Sequence, residues 1–217
     1  MDYHDGPPRP RFRGRLHQLA FVAAIPAGVA VVLSAKPATA RVAAIVYAVA
    51  LVGLYGISAS YHRLARTPRA RTIMQRLDHS MIYIFIAASY TPFALLVLHG
   101  PWAISILVAV WVGALAGVLM KMLRLERTAK LSYAMYLILG WAIVAALPEM
   151  IHGLSTMDML LLIVGGLLYS LGAIVLAVRR PDPLPSVFGY HEVWHTMVVA
   201  AAGCHYLIIR SVIAAAH

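Results

Sequence analysis

The sequence predicts an all-α integral membrane protein, a bundle of seven transmembrane helices with the amino terminus in the cytosol and the carboxyl terminus outside. Three observations predict it. Of 217 residues, 62% are apolar and only 12% charged, whereas about one quarter of a soluble domain is charged. Mean hydropathy is +0.80, and apolar runs of about 20 residues recur, the length that crosses a hydrocarbon core about 30 Å thick as a helix. The basic residues lie between these runs, alternately dense and sparse. The formal charge of +10 therefore serves topology, and no nucleic-acid partner is expected.

The elements follow in order. Residues 1–15 hold Arg9, Arg11, Arg13 and Arg15 with three prolines, and read as an irregular basic arm in the cytosol. Residues 16–217 then form a single seven-helix transmembrane domain. Its first run is Leu16–Ala35. Ala38-Thr39-Ala40 follows it and resembles a signal-peptidase site, but the apolar part exceeds the usual signal core, so an uncleaved helix is expected. The later runs are Val42–His62, Asp78–Leu98, Pro101–Leu119, Leu131–Leu147, Met159–Val178 and His191–Ala216. The breaks have suitable chemistry. His99-Gly100-Pro101 is a tight outer turn, Glu149 to Asp158 a short polar loop, and the proline-rich 179–185 stretch cannot continue a helix. There is no internal repeat.

Orientation comes from Lys and Arg. With the amino terminus inside, the inner segments hold Arg9, Arg11, Arg13, Arg15, Arg63, Arg66, Arg69, Arg71, Arg76, Lys121, Arg124, Arg127, Lys130, Arg179 and Arg180. The outer segments keep only Lys36, Arg41 and Arg210. The expected location is the inner (plasma) membrane of the cell, spanned several times.

The chemistry concentrates in Gly189-Tyr190-His191-Glu192-Val193-Trp194-His195. On a helix His191 and His195 share one face, a spacing that suits a divalent metal. With Glu192 they make a literal H-E-x-x-H. The topology adds partners, because His62 lies at the inner end of the second span and Asp78 at the inner end of the third. Ser58 is one turn before His62 on the same face. Polar groups at such a depth are costly unless paired, hydrated or metal-bound. Three neutral imidazoles with one open position make a catalytic zinc arrangement, and histidine favours zinc over manganese. Asp78 is read as holding water beside the metal, with helix N-capping as its plain alternative. Ser58 is read as a donor to that water or to substrate oxygen. His79 points off this face, His205 lies deep in the seventh span, and His99 and His152 fall at the outer face. Tyr61, Tyr83 and Tyr90 read as packing or belt residues. The single cysteine, Cys204, excludes an intrachain disulfide and reads as a small buried side chain.

Four stretches together resemble the hemolysin III family. They are Ser58-Ala59-Ser60-Tyr61-His62-Arg63, Leu77-Asp78-His79-Ser80-Met81-Ile82-Tyr83, Ala88-Ser89-Tyr90-Thr91-Pro92-Phe93 and the 189–195 stretch above. That family is the bacterial branch of the progestin and adipoQ receptor proteins, kin of the adiponectin receptors, and the resemblance runs from about Arg11 to Arg210. It implies a seven-helix bundle with a cytosolic amino terminus. It implies zinc on His62, His191 and His195, a water-holding Asp78 and a supporting Ser58. Eukaryotic relatives are linked to ceramidase-like hydrolysis, while the bacterial branch is named for cytolysis and often described as a channel. The family pattern does not require glutamate after the first histidine of the pair, so Glu192 is expected to be incidental and to face solvent.

Four functions compete on these residues. The first is a membrane-embedded zinc hydrolase of a lipid amide or ester, with membrane lipids as partners and substrate. The second is a transport or pore-forming protein with a structural zinc, although few charges line the spans. The third is an intramembrane protease with Glu192 as base, which leaves Ser58, His62 and Asp78 without a role. The fourth is a sensor of membrane state. The oligomeric state is not legible.

Overall fold

Long apolar stretches with no partner for their backbone except themselves must be helical in a membrane, and they are. The computed structural model describes residues 10–123 and 129–217; the predicted arm's first nine residues, and Arg124 and Arg127, lie outside the described residues. Among the described residues eight α-helices follow in order: α1 Arg15–Ser34, α2 Ala38–Leu64, α3 Pro68–Leu96, α4 Gly100–Leu123, α5 Ala129–Gly140, α6 Leu147–Gly153, α7 Thr156–Val178 and α8 Tyr190–Ala215. A short 3₁₀ turn, Ala142–Ala146, joins α5 to α6. Among the described residues seven helical segments are long and apolar enough to cross a membrane, the fifth spanning Ala134–Gly153. This is a multi-pass membrane bundle.

α1 packs on α2, α2 on α3, α3 on α4 and α7 on α8, and α8 returns to touch α1, α2 and α3. That return carries the 191–195 pair back to the ends of α2 and α3. On α2, Ala40, Ala43, Ala44 and Ala48 are buried; small side chains let neighbouring helices approach closely in a membrane. Tyr47, Tyr83, Ile208, Ile209 and Ile213 fill the interior. Exposed Leu33, Leu115, Leu119, Leu167 and Leu171 face outward, as lipid-facing positions should.

Three expectations need correction. α3 starts at Pro68, ten residues before Asp78, because Thr67 caps it by accepting a hydrogen bond from the Ala70 N–H at 3.1 Å and proline suits the first helical position. Asp78 therefore lies inside the helix and caps nothing. The fifth span is not one helix over Leu131–Leu147. It breaks after Gly140, where the buried Tyr90 hydroxyl lies 2.9 and 2.7 Å from the carbonyls of Leu139 and Gly140 and accepts from the Ile143 N–H at 2.9 Å. Tyr90 thus closes a helix break and is not a belt residue. The polar loop expected from Glu149 to Asp158 is mostly helical: α6 runs to Gly153, and Ser155 already caps α7 through the Asp158 N–H.

Candidate metal centre

The site lies at the end of the bundle that carries the basic turns. α2 brings His62 in its last turn, and α8 brings His191 and His195 in its first two. One ligand nitrogen from each lies within 4.8 Å of the other two, and His195 is buried. His62 Nε2 and His191 Nε2 are 3.3 Å apart. The imidazole rings meet at 4.9 Å for His62 with His191, 5.2 Å for His62 with His195 and 4.5 Å for His191 with His195. Nε2 of His195 is buried and has no hydrogen-bond partner among the described residues. The sequence expectation that these three converge is met in space.

Asp78 on α3 and Ser58, one turn before His62 on α2, are both buried, 6% and 1% exposed. Both side chains line the same cavity wall. Ser58 Oγ is also 2.8 Å from Nδ1 of His17. Sequence analysis does not single out His17, a buried residue in the first turn of α1. Its ring lies flat on that of His195, with centroids 3.6 Å apart and planes 2° from parallel. The depth argument that places His62 and Asp78 applies equally to His17, since the first span begins on the same side; no spacing motif marks it.

Glu192 does not face solvent. It is 1% exposed, because Oε2 accepts from the Gly189 N–H at 2.9 Å and Oε1 pairs with Arg13 Nε at 2.8 Å. The first interaction satisfies a helix-start donor; the second ties the amino-terminal segment to α8. Arg11 N–H and Phe12 N–H donate to the carbonyls of Ser186 and Val187, and Phe12 meets Phe188 edge-on. Gly14 then turns the chain into α1 with φ +77°, close against His62. Residues 10–14 thus cover the triad from the basic end.

On the other side a cavity opens. His17, Ser58 and Asp78 line one part of it, and Ile82, Phe85, Leu162, Val198 and other apolar side chains of α3, α5, α7 and α8 line the rest. Its interior wall is overwhelmingly apolar. His205 lines it farther along α8, edge-on to Tyr169 and seated where Gly165 leaves room, since a Cβ there would fall 2.6 Å from His205 Nε2. Among the described residues neither His205 nor His79 joins the ligand group. His99 lies at the opposite end, its N–H bound to Glu149.

Known proteins resemble this chain over most of its length. The family described as "Haemolysin-III related" matches residues 6–206. The chain is 33% identical over 196 residues to "Hemolysin-3" of Bacillus cereus, covering 89% of this chain and 86% of that protein. It is 32% identical over 164 residues to the "Hemolysin-3 homolog" of Bacillus subtilis, covering 76% and 74%. It is 30% identical over 175 residues to the human "Monocyte to macrophage differentiation factor", covering 78% and 69%. The matched span takes in the triad, Ser58 and Asp78. With nearly the whole chain aligned, this membrane protein belongs to the haemolysin-III-related family.

Proposed function

We propose that this protein holds zinc on His62, His191 and His195 near the cytosolic face of the plasma membrane and hydrolyses a lipid amide or ester bond there. One observation carries the reading: buried Asp78 lines an otherwise apolar cavity together with Ser58 and His17, and His17 stacks on His195 of the converging histidine triad. The donor set fits the ion. Two imidazole nitrogens each about 2.05 Å from a tetrahedral zinc lie about 3.3 Å apart, and His62 and His191 stand at 3.3 Å before any ion is added. Bound there, zinc polarises a carbonyl and makes a neighbouring water more acidic.

The chain does the rest. Asp78 accepts the proton of the attacking water and returns it to the departing amine or alcohol. Ser58 offers a donor near the carbonyl oxygen. The acyl chain lies against Ile82, Phe85, Leu162 and Val198, away from water. Elemental analysis of purified protein beside His191→Ala tests the metal: about one zinc per chain is expected in the first and a large loss in the second. Turnover of a lipid panel tests the chemistry. Asp78→Asn should abolish it with zinc retained, and zinc-loaded wild type that hydrolyses no amide or ester lipid would remove the enzyme reading.

A second reading takes the zinc as a clamp between α2 and α8, in a pore-forming or membrane-sensing protein. The covering segment at residues 10–14 favours it, since a closed site suits a structural ion. It predicts solute leak from liposomes holding the purified protein, and turnover by none.

A further inference from the structure

We propose that the cavity carries a second polar subsite, built from Tyr169 of α7 and His205 of α8, that takes a hydroxyl group borne on a lipid chain. Six hydroxyl-bearing side chains line the cavity among the described residues. Five are engaged within the protein. Ser58 Oγ lies 2.8 Å from Nδ1 of His17, Ser89 donates to the Phe85 carbonyl, and Tyr136 donates to the His79 carbonyl. Ser170 donates to the Gly166 carbonyl, and Tyr90 closes the break after Gly140. The sixth hydroxyl, that of Tyr169, is buried and has no hydrogen-bond partner among the described residues. The same holds for Nε2 of His205. The two orphaned groups are neighbours, their rings edge-on with centroids 5.4 Å apart.

Unpaired polar atoms are costly at membrane depth, and neither of these atoms ties one helix to another. Room is nonetheless kept for the imidazole: a Cβ on Gly165 would lie 2.5 Å from Cδ2 and 2.6 Å from Nε2 of His205. The chemistry of the pair selects its ligand. No Lys or Arg lines the cavity among the described residues, and Asp78 stands with His17 and Ser58 in another part of it. A charged group beside Tyr169 and His205 would therefore lack a counter-ion, which membrane depth penalises. A carbonyl only accepts. A hydroxyl both donates and accepts, so it pairs with the phenol and with an imidazole nitrogen in either tautomer. Since the cavity wall is otherwise mostly apolar, hydrocarbon must carry that hydroxyl. His205 stands ten residues beyond His195 on α8, about 15 Å along the helix axis. The hydroxyl belongs that far from the triad, well along the chain and not at its head.

The proposal rests on the reading that a lipid chain occupies the cavity, and not on whether a bond is cut there. Displacement of a fluorescent fatty acid from the purified protein tests it, with octadecanoic acid beside octadecanoic acids hydroxylated at successive carbons. One position along the chain should bind about tenfold tighter than the unsubstituted acid, the gain from one well-made hydrogen bond. Tyr169→Phe and His205→Phe should each cut that gain to about twofold or less and leave the unsubstituted acid unaffected. Gly165→Ala, which drives the His205 ring from its seat, should cut it as well. Thermal unfolding without added lipid is the second readout. A hydroxyl that pairs with nothing in the fold can be removed without loss, so Tyr169→Phe should melt no lower than wild type. A lower melting temperature would mean that the hydroxyl serves the fold, and overturns the proposal. So does a gain that survives in both phenylalanine variants. Displacement by all the acids with no preferred hydroxyl position would leave the two groups to buried water and remove the subsite alone. No displacement by any acid would remove the lipid-chain reading, and the subsite with it.

Discussion

Gly14 and Glu192 decide, residue by residue, how the basic end of the bundle is closed. At Gly14 φ is +77°, and an added Cβ would lie 2.5 Å from the Cβ of His62. The left-handed conformation alone costs an ordinary residue about 1–2 kcal/mol, and the contact forces His62 or the chain to move. Gly14→Ala should thus lower the melting temperature and weaken zinc binding by about tenfold, the scale of a displaced metal support. Unchanged zinc affinity would mean that residues 10–14 do not bear on the ligand. Both oxygens of Glu192 are engaged, by Gly189 and Arg13, which leaves none for a water at the metal. Breaking a fully buried ion pair from one side costs about 3–5 kcal/mol. Arg13 keeps 19% of its side chain exposed, so solvent reduces the cost in Glu192→Gln to about 2 kcal/mol. Stability should fall by that amount in denaturation, with lipid turnover per folded molecule unchanged. Loss of turnover with zinc retained would restore a protease-type base. Neither residue's role was legible in the sequence. Glu192 stands one position from His191, where helix periodicity turns it off the ligand face, and its partner lies in an aperiodic segment far away in the chain.

At the scale of elements, what is legible is set by what is local. The apolar runs and their basic flanks are local, and they predicted seven spans that the helices follow. Where a helix begins outside the membrane is also local: Thr67-Pro68 is a plain start signal, lying ten residues ahead of the apolar run that opens at Asp78. The break after Gly140 is different. Its cause is a hydroxyl on α3, Tyr90, that supplies partners to Leu139, Gly140 and Ile143, and no inspection of residues 131–147 reveals it. Such backbone groups have no water to turn to at membrane depth. Tyr90→Phe removes the hydroxyl and should destabilise the protein by about 1–3 kcal/mol, the cost of buried backbone groups left unpaired. Amide hydrogen exchange at Ile143 should accelerate with it, with exchange in α1 and α2 unaltered. No change at Ile143 would assign the break to residues 140–142 themselves. The triad follows the same rule. His191 and His195 are a local pair, His62 was reachable only through topology, and His17 needed that argument applied once more, to α1.

For the whole molecule, the metal site joins the beginning of the bundle to its end. α8 packs against α7 and returns to α1, α2 and α3, and a shared ion would fasten that return at its basic end. A ligand bound only by the folded chain stabilises it, so chelation should lower the melting temperature. The pH dependence has a definite sign. Each ligand nitrogen binds metal with its lone pair, and a protonated imidazole has none to give. Free imidazole takes up its proton around pH 6.5, so the stabilisation due to zinc is complete above that region and is lost as pH falls through and below it. Tight binding moves the loss lower, because the ion competes with protons at all three rings. The gap in melting temperature between zinc-loaded and chelator-treated protein should therefore be widest near pH 8 and largely closed by about pH 5, where histidine outside a metal site is protonated. The His191→Ala protein, lacking one ring, should show no such gap at any pH. A gap that persists unchanged to about pH 3 would mean that carboxylates rather than imidazoles hold the ion, since only they would still offer lone pairs near there.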